Sequence, residues 1–527
     1  MTRHGGLLAD LYVFLQDGCD GRARLSLRCE LEIVCALAGP LIALAALLLR
    51  ARESLCILCV LQMSSCAASE ASRGGSVRVH KTIRPHRSRG EETRSMTQPF
   101  RACSLLSIIA CIILCPEAYA QDRRKVTEPT APQTVCDRPV PTGKQDTVTL
   151  QDAIDQCPSG AAVYLGRGEF RSGPLEMKSG VTLWIGRGAK LIAIPEPAAY
   201  DKGRGQCGRI SGKGDGCRPF ISFSKTRGGG IYGDGIIDGQ GGTTMVGGAE
   251  TWWQLARRAQ AEGGNQNAPR LIQIDHAQDI TFAGVTLRNA PNFHIAMNRV
   301  EGATFWGLTI DAPADARNTD GIDPGASQDV TITGSFIRTG DDNVAIKAGD
   351  NGSSSHISII DNYFGWGHGM SIGSEVNSGA SDIVVRNLTL DGTTSGLRIK
   401  SDVSRGGLVE RVTYENICLR GNRWPLAFDA KYDPRAQGSR IPVYRQIVLR
   451  HVRGDSGALM MRGVDERHAL DVTLEDVRFS SSATWQLEHA KVTADNSDVW
   501  PPLPGRTTEP LLRGSDACSS AFRDVHR

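Results

Sequence analysis

The 527-residue chain is poor in aromatic side chains, at 6% of residues, and its charges nearly cancel to a formal +3. Few aromatics beside 59 glycines suit a turn-rich β protein better than a helical one. So small a net charge leaves no electrostatic footprint for nucleic acid or a membrane surface. After residue 125 no basic run is interleaved with aromatics, which again excludes nucleic acid as a partner. Uninterrupted apolar runs are also short. The longest, Ile33 to Leu49, has 17 residues and could serve as a membrane anchor followed by a linker, whereas the apolar stretch from Leu105 to Leu114 falls short of the roughly 20 needed to span a bilayer. Cysteines after residue 120 show no spacing typical of a structural metal site.

What is present begins with an export signal. Met96 opens a segment with Arg101 as its positive start, an apolar stretch from Leu105 to Leu114, and Ala118-Tyr119-Ala120 as a small-x-small cleavage pattern. Residues 96–120 are expected to be a signal peptide, with the mature protein starting at Gln121. Such a protein is secreted or periplasmic and has no membrane segment in its mature form. Residues 1–95 combine the Ile33–Leu49 run with an Arg- and Ser-rich stretch, Arg73 to Arg94. They are expected to be a non-native upstream extension or a disordered, hydrophobic leader. Six of 15 cysteines remain after residue 120, an even count that permits disulfides in an exported protein. Proximity pairs Cys136 with Cys157 and Cys207 with Cys217, while Cys418 and Cys518 either pair or stay as buried thiols.

From Thr147 onward, short segments of alternating apolar residues are separated by Gly, Asn and Asp. Similar segments start at Ile280, Ala303, Val330, Ile357, Ile383, Val412, Ile447 and Val472, and the first five are spaced 23, 27, 27 and 26 residues apart. One such unit cannot bury its inward row, whereas stacked units share a continuous apolar column. A leucine-rich array is the competing solenoid, but no unit shows a helix-length amphipathic stretch between strands. The expectation is an all-β, right-handed parallel β-helix of about ten coils, spanning 146–490. A helix in Thr149–Asp155 would cap its open end, which otherwise exposes strand edges. Residues 121–145 form an N-terminal segment. Periodicity fades beyond Ser480, and 491–527 reads as an irregular tail.

Four polar clusters punctuate this column: Asn318-Thr319-Asp320, Gly340-Asp341-Asp342, Gly367-His368-Gly369 and Arg398-Ile399-Lys400. From Asp320 to Asp342, to His368 and to Arg398 the gaps are 22, 26 and 30 residues, each about one coil. Stacked coils lie about 4.8 Å apart, so the clusters would share one patch. Crowded carboxylates cannot all ionise comfortably, which favours an acid beside a base. Hydrolysis of a glycosidic bond requires that division. Taken singly, NTD and GDD are ordinary turn sequences, and a calcium loop would gather its acids within a dozen residues. Arg398 and Lys400 would face the same side of a strand and offer cations to substrate carboxylates.

These motifs, intact and in order, resemble the polygalacturonases of glycoside hydrolase family 28. The resemblance covers most of 140–480, including GIIDGQG from Gly235, NAPNFHI from Asn289 and DDNVAIKAG from Asp341. It implies a right-handed β-helix and inverting hydrolysis of α-1,4 bonds between galacturonates of pectin; a monomer acting on pectic polysaccharide without cofactor or metal is expected. Asp341 would be the general acid, Asp320 and Asp342 would activate water, and His368 would support the acid. Arg398 and Lys400 would hold the galacturonate carboxylate, with Tyr432 and Asn318 as further substrate contacts. GMSIGSE and TSGLRIKS look more like exo-acting bacterial members, so exo action is expected. The alternatives are a rhamnogalacturonan or xylogalacturonan hydrolase, a pectate lyase, and a non-catalytic carbohydrate-binding β-helix.

Overall fold

The computed structural model describes Ala120, residues 123–495, 498–506 and 518–522, all within the unit Ala118–Arg527. Residues 1–119, with the apolar run and all but the last residue of the expected signal segment, lie outside the described residues. No helix among the described residues is long and apolar enough to cross a membrane.

The alternating segments wind into the expected right-handed parallel β-helix. One face is a parallel sheet of eleven strands from Leu175–Glu176 to Thr484–Glu488, and a 21-stranded parallel sheet forms the rest of the wall. Inward side chains stack coil upon coil. Along the eleven-stranded face the column runs Leu175, Ile221, Ile272, Ile295, Ile322, Val344, Met370, Leu397, Leu426, Leu459 and Trp485. Each fully buried aliphatic chain contributes roughly 1.5–3 kcal/mol, so the core grows by repetition. All eight segment starts counted in the sequence, Ile280 through Val472, pair in register along the second sheet.

One turn recurs in left-handed conformation on successive coils. Glycine fills it at 284, 307 and 334, and Asp361, Asn387 and Asn416 take it over. These are the residue types that tolerate positive φ. Asn387 Nδ2 donates to Asp361 Oδ1 at 2.7 Å, and Asn416 Nδ2 to Asn387 Oδ1 at 3.0 Å.

The capping helix spans Thr147–Gln156, two residues earlier than expected, and buries Leu150, Ala153 and Ile154 on the first coil. Three details correct the sequence reading. A ten-residue amphipathic helix, Trp252–Ala261, does interrupt the strand pattern, opened by a capping box between Thr251 and Gln254. Residues 121–145 contribute a strand, Val135–Asp137, to the first coil. Strands also continue past Ser480, through Ala490–Thr493 to Val499–Trp500, because Val472, Thr473, Val477 and Arg478 still offer a paired edge. Disulfides join Cys136 to Cys157 and Cys207 to Cys217, and the open alternative closes with Cys418 bonded to Cys518.

Candidate active site

All eight side chains expected at a site line one groove of about 1160 Å³ on the outer surface of the eleven-stranded sheet. Arg398 and Lys400 flank inward-facing Ile399 on the strand Ser395–Lys400, as strand alternation requires. Asp341 and Asp342 escape that alternation. Both precede the strand Val344–Ile346, in a bend that opens at Gly340. A Cβ at Gly340 would lie 2.1 Å from the Ala316 carbonyl oxygen, so only glycine allows the turn to pass so close.

Neighbouring coils are clipped together at the clusters themselves. Gly340 N–H donates to Thr319 Oγ1 at 2.9 Å, and Gly369 N–H to Asn343 Oδ1 at 2.9 Å. Asn318, in the left-handed region at φ 58°, accepts from Gln266 Nε2 at 3.0 Å. The three acid and imidazole clusters are therefore one hydrogen-bonded unit across successive turns.

His368, its side chain 40% exposed, meets Asp341 Oδ1 through Nδ1 at 3.0 Å. Asp342 is buried and receives Lys400 Nζ at 2.7 Å, Ser371 Oγ at 2.8 Å and Arg398 Nη1 at 3.4 Å. Tyr432 lies over both cations, its ring centre 5.3 Å from the Arg398 guanidinium and 5.6 Å from Lys400 Nζ. Such a cation–π contact restrains the two long side chains.

The electrostatics sort the carboxyls. Burial pushes Asp342 up, but Lys400, Arg398 and Lys347 outweigh it and hold this group well below the ordinary range. Burial also pushes Asp341 up, and the His368 hydrogen bond and charge bring it below. Asp320 goes the other way. Burial, then the charges of Asp341 and Asp323, raise it well above normal, and its Oδ1 has no partner. Of these three carboxyls, Asp320 is the one whose surroundings favour the protonated form. Asp341, Asp342 and His368 offer ligand atoms within 4.8 Å of one another, but two cations already neutralise Asp342.

Sequence reasoning missed a second layer. Asp323 is buried with neither oxygen hydrogen-bonded, and burial raises it to about 7 against the pull of Lys347. Lys347 is held in its charged form, against burial, by Asp323 and Glu375, and lies 3.3 Å from Glu375. Both Asp323 and Lys347 sit inside or just after the motifs, three residues beyond Asp320 and five beyond Asp342. That spacing was the only available signal. Arg270 and the loop residues Lys202 and Lys213 also line the groove, and nothing in the sequence pattern marked them.

Residues 173–496 match the model for glycosyl hydrolases family 28. The chain belongs to this family. It is therefore a glycosidase. An endo-polygalacturonase of Pectobacterium carotovorum subsp. carotovorum is 41% identical over 380 residues, covering 71% of this chain and 94% of that protein. A polygalacturonase of Ralstonia solanacearum is 39% identical over 388 residues, covering 64% and 73%. Among solved structures, the polygalacturonase from Erwinia carotovora ssp. carotovora superposes with a TM-score of 0.68 at 39% identity, covering 71% of this chain and all of that one. A hyperthermoactive exopolygalacturonase from Thermotoga maritima, at 21% identity and a TM-score of 0.58, shares the fold.

Proposed function

We propose that the protein is an exported polygalacturonase that cleaves α-1,4-galacturonosyl bonds of pectin or polygalacturonate within the chain, with inversion. One observation carries this reading: Arg398 and Lys400 stand at the floor of the groove against Asp342, beside the acid cluster. A neutral polysaccharide has no need of two cations at the cleavage point, whereas a galacturonate carboxylate does. Asp320, Asp341, Asp342 and His368 differ in solvent access and partner, which supports different roles for them.

Asp341 serves as general acid, with His368 tuning its proton. Asp342 and Asp320 position and activate the attacking water, and Tyr432 and Asn318 complete the substrate contacts. The surroundings favour the protonated form of Asp320 and the ionised form of Asp341. Binding changes that balance: expulsion of water and arrival of a substrate carboxylate both raise Asp341. The proton then lies where the leaving oxygen needs it.

Endo action replaces the exo action expected from GMSIGSE and TSGLRIKS. The relatives that share about 40% of their residues include ones named endo-polygalacturonase. Export follows from the segment 96–120, and three disulfides suit an oxidising compartment.

The test is the product profile on polygalacturonate, with Asp341→Asn as control. A ladder of oligomers from the wild type and none from the variant supports the reading. Monomer or dimer alone would restore exo action, and ultraviolet-absorbing unsaturated products would indicate a lyase. Cleavage only of rhamnogalacturonan or xylogalacturonan would move the substrate. No new reducing ends on any pectin would leave a binding protein.

A further inference from the structure

The NAPNFHI segment supplies a histidine that the proposed chemistry does not use. Asn292 and Phe293 line the groove, but the next residue, His294, is fully buried at the entry to the strand Ile295–Asn298. Its main-chain N–H donates to the Asp320 carbonyl at 2.8 Å. Its ring Nδ1 lies 3.1 Å from the same oxygen and 3.2 Å from the Thr319 carbonyl. Carbonyls only accept, so Nδ1 must carry the hydrogen. Nε2 is then a bare acceptor, buried without a partner.

That orphan is informative. A side chain present only to fill the core would be aliphatic or aromatic, with no lone pair to desolvate. The chain keeps an imidazole and leaves one nitrogen unpaired, and the other nitrogen serves two carbonyls of the acid-bearing turn. Burial draws His294 down to about 4, so the ring stays neutral and the tautomer is set by geometry. Thr319, whose carbonyl the ring grips, sends its hydroxyl to Ala316 O at 2.7 Å and receives Gly340 N–H at 2.9 Å. A shift of Thr319 therefore passes to the Gly340-Asp341-Asp342 turn on the next coil.

We infer that His294 is a positioning residue: its Nδ1–H holds the main-chain carbonyls of Thr319 and Asp320, and so fixes where the Asp320 side chain projects and its register against the Asp341–Asp342 pair. It acts on turnover without touching substrate. This rests on the polygalacturonase reading for its substrate, though the hydrogen-bond arrangement stands without it.

Two variants separate positioning from packing. His294→Asn places an amide N–H where Nδ1–H lies, whereas His294→Gln carries its donor at the Nε2 position. On polygalacturonate, His294→Asn is expected to hold kcat within about 3-fold, while His294→Gln loses about a hundredfold with KM unchanged, as for a reacting group displaced by about an ångström. Both should melt cooperatively. Equal losses of kcat, a change confined to KM, or failure of both to fold would overturn the inference in favour of a packing role. Nitrogen-15 spectra of histidine-labelled wild type give a readout independent of turnover. A protonated Nδ1 with a bare Nε2 supports the inference, and the opposite tautomer overturns it even if no pectin is cleaved. An inactive wild type with the expected tautomer would count only against the polygalacturonase reading.

Discussion

Lys400 donates a 2.7 Å hydrogen bond to the Asp342 carboxylate, and the two side chains are only 7% and 1% exposed. Neither charge has water to fall back on. Removing Lys400 leaves Asp342 with the Ser371 hydroxyl and a longer contact to Arg398, a loss below the about 3–5 kcal/mol of a buried charge left with no partner. Lys400→Met should therefore lower both the thermal midpoint and kcat/KM. The double variant Lys400→Met/Asp342→Leu should recover much of the stability and none of the activity. Calorimetry and a reducing-sugar assay decide, and a stable, inactive single variant would refute the coupling.

Asp323 should make stability depend on pH. Its carboxyl is raised to about 7 from an ordinary 3.8, so across that window the folded state binds more protons than the unfolded one. Stability then falls as pH rises from 3.8 to 7, with a slope of at most about 1.4 kcal/mol per pH unit from this group. Asp320 adds a term of the same sign. Asp342 works oppositely, but only below the window. Asp323→Asn should flatten the slope in urea titrations between those pH values, and unchanged slopes would refute it.

His368 holds Asp341 down. With His368→Gln the charge is gone and burial of Asp341 meets less opposition, so the acid should lose its proton at higher pH. The alkaline limb of kcat/KM moves up, and activity at the optimum falls by about 10²-fold or more. A shift of that limb toward acid would mean that Asp341 is not the proton donor.

Gly340→Ala tests the close approach of two coils. The new Cβ would lie 2.1 Å from the Ala316 carbonyl oxygen, and overpacking of this kind costs about 1–3 kcal/mol. Activity should fall further than stability, since the displaced turn carries both aspartates. A fully active variant would show that the turn relaxes freely.

Cys518→Ser should separate stability from catalysis. The Cys418–Cys518 bond closes a 100-residue separation, worth up to about 4.7 kcal/mol in a chain-entropy account. The thermal midpoint should drop while kcat on polygalacturonate stays, because Cys518 lines a separate cavity with Arg420 and Phe522.

The repeat was legible because stacking demands it. Every coil must present an aliphatic residue at the same place, so Ile280 and its seven successors could be aligned by eye. The site was legible for the same reason, since clusters one coil apart in sequence meet in space. What escaped was whatever does not repeat. The helix Trp252–Ala261, the antiparallel pair of Ile210–Ser211 with Asn265–Gln266, and the groove-lining Lys202 and Lys213 belong to loops of irregular length. Asp323 and Lys347 escaped differently. Asp323 ends the strand Ile322–Asp323 and Lys347 directly follows the strand Val344–Ile346, where many outward residues fit, and only the packing of neighbouring coils brings the two charges together.

Successive paired positions lie as few as 20 residues apart, from Val163 to Leu183, and as many as 51, from Ile231 to Phe282. The ladder tolerates this because surplus residues are ejected sideways and leave the register untouched. Chemistry and reach are thereby uncoupled in inheritance. An insertion can roof the groove, extend its walls or add a cation without moving an aspartate, so which polymers such a scaffold accepts can drift while its cleavage machinery stands still.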